Sequence, residues 1–194
     1  MGKKLLITGF EPFGELKENP SWMAVDQLAD KIGNFSVRKL LIPTVYGAGA
    51  EAVLAEAKVF CPDVVLCIGV AVGRNAVTPE RIGVNIRDAR IPDNDGNQPR
   101  GAFVVPGAPA AYFSTLPVDK IADAIAAAGI PATVSNSAGA FICNDVLFTL
   151  LHHFDGTATK VGFIHIPALP HQAERNMPLS QSIDALNAAI LALE

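Results

Sequence analysis

Short runs rich in Val, Ile and Leu alternate along this chain with stretches in which apolar residues recur every three or four positions. Runs of the first kind, at 3–10, 36–42, 63–69, 132–135 and 160–166, predict strands. Stretches of the second kind predict helices. One opens after Asn19, which can accept at an N-cap, with Pro20 at the first helical position. It carries Trp22, Val25 and Leu28 on one side and stops near Gly33. A second spans 46–58, with Val53, Leu54 and Ala57 on one face, and a third spans 117–128, with Gly129 past its end. A fourth covers 140–153, and a closing helix aligns Leu179, Ile183, Leu186 and Ile190. Strands joined by such helices make crossover connections, so the class is α/β with a twisted, mostly parallel sheet.

Residues 78–107 break this rhythm. Ile82, Val84 and Ile86 alternate as in an extended strand, and Pro92-Asp93-Asn94-Asp95-Gly96-Asn97 reads as a turn, because Asp-Gly supplies the positive φ of tight hairpins. A hairpin added to the sheet is expected there, rather than another crossover.

A length of 194 residues suits a single domain, 1–194, and half of them are apolar, which argues against disorder. A net charge of −4 gives no electrostatic reason to bind nucleic acid. The longest apolar stretch, 64–73, falls far short of a membrane span, and Leu5-Leu6-Ile7 is too short for a signal-peptide core. No membrane and no export are expected. Cys61, Cys67 and Cys143 form neither a disulfide framework nor a zinc motif, so no metal or other cofactor is expected and a reducing cytoplasm fits.

Open α/β sheets bind ligands beyond the carboxyl ends of their strands. There, Ser135-Asn136-Ser137-Ala138-Gly139-Ala140-Phe141-Ile142-Cys143 runs through small residues into a helix. Cys143 would sit in the first turn, where unpaired N–H groups favour a thiolate; nucleophile and buried structural thiol are the two readings. Cys67, inside an apolar strand, reads as structural. His165 interrupts the end of another apolar strand, as a base for a thiolate or as a core histidine. His152, His153 and His171 are weaker candidates. Glu80 can orient His165, or be one of the solvated charges that balance Arg81, Arg87 and Arg90. Gly69-Val70-Ala71-Val72-Gly73-Arg74 lacks the phosphate-loop and dinucleotide patterns and reads as a close-packed turn near the site.

Five motifs in one order carry a resemblance. They are Thr8-Gly9-Phe10-Glu11-Pro12-Phe13-Gly14 with Asn19-Pro20-Ser21; Glu80-Arg81-Ile82-Gly83-Val84-Asn85; Asp88-Ala89-Arg90-Ile91-Pro92-Asp93-Asn94; Ser135 to Asn144; and Gly162-Phe163-Ile164-His165-Ile166-Pro167. Over nearly its whole length the chain resembles pyroglutamyl peptidase I, the pyrrolidone-carboxylate peptidases.

The resemblance implies a single-domain three-layer α/β sandwich with helices on both faces. It implies a cytoplasmic homotetramer, without metal, that removes an N-terminal 5-oxoproline from peptides. Cys143, His165 and Glu80 would be its triad, and Phe10, Phe13, Thr44, Ile91, Phe141 and Ile142 its substrate pocket. Apart from the resemblance, the oxyanion needs donors, for which the Cys143 N–H at the helix start is the natural choice and Arg90 a second. Val72, Ala140-Phe141 and Ala168-Leu169 depart from the family's usual residues. Two other functions stand beside this one: a non-catalytic binder of pyroglutamyl peptides, and a nucleoside-phosphorylase-like transferase of similar architecture.

Overall fold

The computed structural model describes residues 2–14 and 16–194; position 15 of the turn-rich stretch 11–19 lies outside the described residues. Strand β1 (Lys3–Phe10) leads into α1 (Pro20–Asp26), β2 (Lys31–Ile32), β3 (Phe35–Ile42), α2 (Ala48–Phe60) and β4 (Val64–Val70). Then follow β5 (Thr78–Pro79), β6 (Ile82–Val84), β7 (Ala111–Phe113) and α3 (Val118–Ala127). The chain closes with α4 (Ile142–His153), β8 (Lys160–Ile166) and α5 (Leu179–Leu191).

The main sheet has the order β2-β3-β1-β4-β8-β5. Its four long strands run parallel, and the two-residue strands β2 and β5 pair antiparallel at the edges. Both faces are covered. Leu5, Ile7, Leu66, Ile68, Ile164 and Ile166 pack with the apolar stripes of α1, α3 and α5, while Leu6, Val65, Cys67, Val161 and Phe163 pack with α2 and α4. Three layers result, and they explain why β1 and β4 read as continuous apolar runs: strands buried on both faces have no solvent side to alternate with.

Several elements match the local pattern closely, and others do not. Strands β1 and β8 have the expected ends. Asn19 caps α1 by accepting from the Ser21 N–H at 3.0 Å, but the helix ends at Asp26, and Gly33 instead turns the short β2–β3 pair. A Cβ on Gly9 would stand 2.6 Å from the Trp22 Cα, so only glycine lets α1 lie this close to β1. The expected strand at 132–135 forms only isolated bridges, Val77 with Ala132 and Glu80 with Ser135.

The expected hairpin is also redrawn. Gly96 does take positive φ, and the Asp93 carboxylate accepts from the Asp95 and Asn97 N–H groups to close the turn. The strand at 82–84 nevertheless pairs with β7, far beyond that turn, in a two-stranded sheet of its own. Side-chain bonds substituted for ladder bonds in the intervening loop. Asn85 holds it by accepting from the Val105 N–H and donating to Val105 O and Ala108 O.

Candidate active site

The strand order reverses direction at β1: the chain goes from β1 to β3 on one side and returns to β4 on the other. Crevices outside such points are where open α/β sheets hold ligands. The carboxyl ends of β1, β4 and β8 carry Phe10, Gly69 and His165, and the N-terminus of α4 lies over them.

His165 and Gly69 are register partners on adjacent parallel strands. A Cβ on Gly69 would lie 2.9 Å from Cys143 Sγ and 2.8 Å from the Phe163 ring, so the glycine leaves the room that the sulfur occupies. Cys143 is the second residue of α4 and part-exposed. Its N–H and that of Ile142 bond no acceptor among the described residues, which leaves two donors beside the sulfur.

Glu80 follows the edge strand β5, its N–H donating to Phe163 O at 2.9 Å. This antiparallel pairing brings its carboxylate to the imidazole: His165 Nδ1 lies 2.7 Å from Glu80 Oε1, with the glutamate fully buried. An ionised carboxylate only accepts, so Nδ1 carries the proton and Nε2 keeps its lone pair. Nε2 has no hydrogen-bond partner among the described residues.

Burial would raise the Glu80 carboxyl, but the bond and charge of His165, with Ser135 and Arg74, outweigh it and hold the group below its usual value. Burial lowers His165, Glu80 opposes that, and the Arg74 charge adds to it, for a net lowering. Burial first, then the Glu80 and Cys67 charges, pushes the Cys143 thiol up to about 12. Contrary to the expectation from its helix position, the resting sulfur is a thiol beside a neutral imidazole, because desolvation and a nearby carboxylate outweigh the helix end.

Of the expected pocket residues, Phe13 and Phe141 stand edge to face at 5.4 Å, both half-buried. Phe10 and Ile142 are buried in the layer between the sheet and α2 and α4. Thr44 is buried, donating through its N–H and hydroxyl to Glu11. Ile91 is 53% exposed. Arg90 is exposed, and its guanidinium makes no bond or ion pair among the described residues, so no contact draws it to the sulfur. His152 bonds Tyr112 and His171 bonds Glu18, and neither bonds Cys143, His165 or Glu80, while Cys67 is fully buried and Cys61 exposed at the end of α2.

A profile of the pyroglutamyl peptidase family matches residues 3–194. The chain belongs to the pyroglutamyl peptidase family. It is 50% identical to the pyrrolidone-carboxylate peptidase of Escherichia fergusonii over 88% of this chain and 81% of that one. With the enzyme of the same description from Staphylococcus saprophyticus it shares 44% identity, over 97% and 90%. Crystalline pyroglutamyl peptidase I from Bacillus amyloliquefaciens superposes with a TM-score of 0.95 at 39% identity, covering 98% of this chain and 96% of that one. The pyrrolidone carboxyl peptidase of Thermococcus litoralis gives 0.94 at 39%, covering 98% and 93%.

Three features of this pyroglutamyl peptidase family member escape a sequence reading. Arg74 bonds Glu80 directly, Nη1 to Oε1 at 2.7 Å, although as part of a Gly-rich turn it carried no assignment. Its place just past a central strand was the available signal. Tyr46, expected only as a helix start, sets its ring 5.6 Å from Phe141 and donates to Ala140 O. Asn144 and Asp145 anchor the start of α4. The Asn144 amide accepts from Val84 N–H and donates to Val84 O and Ile86 O, while Asp145 takes the Gly47 N–H and Arg87 Nε.

Proposed function

We propose that this chain removes N-terminal pyroglutamyl residues from peptides, with Cys143 as nucleophile, His165 as base and acid, and Glu80 as the group that orients the imidazole. The observation that carries the assignment is the buried Glu80–His165 bond, which leaves Nε2 free as an acceptor on the face where Gly69 makes room for Cys143 Sγ.

As the sulfur attacks the carbonyl carbon, its proton passes to His165 Nε2, and the oxyanion takes N–H bonds at the start of α4. Collapse breaks the C–N bond, and Nε2–H gives its proton to the departing amine. Water then attacks the thioester while Nε2 accepts its proton; pyroglutamate leaves, and that proton returns to sulfur. Glu80 stays ionised throughout and steadies the imidazolium when it forms.

The lactam is flat, uncharged at nitrogen and mostly apolar, which suits a wall made of Phe13, Phe141 and Tyr46. Phe10, Ile142, Thr44 and Ile91 belong to the same proposal as pocket walls or supports, and the exposed Arg90 as a second oxyanion donor. The whole of 1–194 acts as one catalytic domain. A cytoplasmic location accords with three free cysteines and with the absence, among the described residues, of a helix long and apolar enough to cross a membrane. Self-association to a tetramer would cover exposed apolar side chains such as Phe103 and Phe113, and light scattering reads it.

Hydrolysis of a pyroglutamyl fluorogenic amide under reducing conditions, by wild type and Cys143→Ala side by side, tests the reading. Release by the wild type alone supports it. Saturable binding without turnover by the wild type points to a non-catalytic module, and equal release by both proteins removes Cys143 from the mechanism.

A further inference from the structure

We infer that Arg74 is a positioning residue for this reaction: its guanidinium holds the Glu80 carboxylate toward His165 and ties it to the loop that delivers Cys143. The inference rests on the function proposed above and adds a residue that the Cys/His/Glu assignment does not contain.

The geometry carries it. Arg74 Nη1 donates to Glu80 Oε1 at 2.7 Å, the same oxygen that faces His165 Nδ1 at 2.7 Å. Nη1 also donates to the Thr78 hydroxyl, and Nη2 to Ser137 O at 3.1 Å. One side chain thus joins three segments that meet only in the folded state: the loop after β4, the β5 edge that bears Glu80, and the turn that leads into α4. A planar guanidinium can serve several acceptors in fixed directions, which a flexible ammonium does less well.

Glu80 depends on this partner more than a surface carboxylate would. It is fully buried, and its Oε2 has no hydrogen-bond partner among the described residues, so both strong donors act on Oε1. Arg74 itself remains 32% exposed, opening on a cavity of about 310 Å³ that Thr78, Ser135 and Arg175 also line. The cation stays partly hydrated while its bond reaches inward, so the pair avoids burying two charges. Arg81, the chain neighbour of Glu80, is turned away onto Asp119 and Asn136 and leaves the role to Arg74.

The charges around His165 then give the inference a signature. Glu80 faces the imidazole from β5, Arg74 stands behind Glu80, and Cys143, with Cys67 beyond it, lies on the α4 side as a neutral thiol. Glu80 and His165 share one proton in the working state. Without the Arg74 charge the pair takes a second proton at higher pH, whichever member receives it, and the base is lost.

The test compares wild type with Arg74→Gln and Arg74→Lys, each checked for folding by its thermal transition, in pH profiles of pyroglutamyl-amide hydrolysis. Arg74→Gln is expected to lose about tenfold or more in kcat with little change in KM, and to move the acid limb of kcat/KM to higher pH. Arg74→Lys keeps the charge and lacks the fork, so its acid limb is expected to stay near that of the wild type while kcat is only partly restored. A folded Arg74→Gln with the kcat and acid limb of the wild type overturns the inference. Should Arg74→Gln not fold, Arg74→Lys decides: reduced kcat at unchanged KM supports the role, and full activity overturns it. A wild type without turnover overturns the proposed function, and this inference with it.

Discussion

Gly69 and Cys143 are packed so closely that the missing side chain of one makes the place of the other: a Cβ on Gly69 would lie 2.9 Å from the sulfur. The same added carbon would meet the Phe163 ring at 2.8 Å. Neither neighbour is a flexible chain end, since Phe163 is buried and Cys143 is held by the first turn of α4. Gly69→Ala is therefore expected to displace the Cys143 sulfur and lower kcat/KM by about a hundredfold, as misplacements near 1 Å can. Retained folding in the thermal transition, with that loss in the amide assay, is the expected pair of results. Activity near wild type would mean that the sulfur has room to move.

Glu80→Gln keeps the shape of the carboxylate and removes its charge. Both donors meet on Oε1, so the amide oxygen can still accept from His165 and Arg74 while its NH2 takes the place of Oε2, but the buried charge that steadies the imidazolium is gone. A loss of about a hundredfold or more in kcat is expected, with KM little changed. Steady-state kinetics on the amide check this; a KM effect alone would assign Glu80 to binding.

Acid should weaken the fold through the same two groups. Glu80 and His165 are both held below their ordinary values of 4.5 and 6.5, so at mildly acid pH the unfolded chain binds more protons than the folded one. Stability that is complete above about pH 6.5 is then lost as pH falls, first through His165 and further down through Glu80. Urea midpoints measured from pH 8 to pH 4 should decline over that window for the wild type. The part near pH 6 should flatten in His165→Asn, and an unchanged slope there would remove His165 from the account.

The start of α4 depends on an ion pair whose acid is buried and whose guanidinium is partly exposed. Asp145 is almost fully buried; it takes Arg87 Nε at 2.6 Å and the Gly47 N–H at 2.8 Å. Asp145→Ala leaves the Gly47 N–H and the partly hydrated Arg87 without their acceptor, and a loss of about 2 kcal/mol is expected. Urea unfolding measures it. Asn144→Ala, which strips the Val84 N–H and two carbonyls of their partner, is expected to cost about 2 kcal/mol.

Substrate choice should be steep. A free α-amino group would have to give up its water of hydration against the Phe13, Phe141 and Tyr46 rings, which the uncharged lactam does not. Pyroglutamyl anilide should be cleaved at least about a hundredfold faster, by kcat/KM, than glutaminyl anilide, and comparable rates would contradict this pocket.

Much of the molecule follows from local order in the chain. Buried runs at 3–10 and 160–166, the Asn19-Pro20 helix start and the periodic helices are signals within a few residues, and they correspond to β1, β8, α1, α4 and α5. Residue chemistry named Cys143, His165 and Glu80 as candidates, each beside a structural reading, and only the family resemblance joined the three into one set.

What only the tertiary structure decided concerns partners. Glu80 and His165 are separated by 85 positions, and their bond exists because β5 pairs antiparallel with β8 in one register. The strand at 82–84 chose β7 over the nearer turn, and the expected helix lost about its last two turns to a β2–β3 pair, because backbone groups take whichever partner the packed layers leave in reach. Arg74 and Tyr46 gained their roles in the same way. The state of Cys143 reversed as well: a helix end speaks for a thiolate, while burial beside a carboxylate keeps the proton on sulfur, and burial is a property of the whole fold.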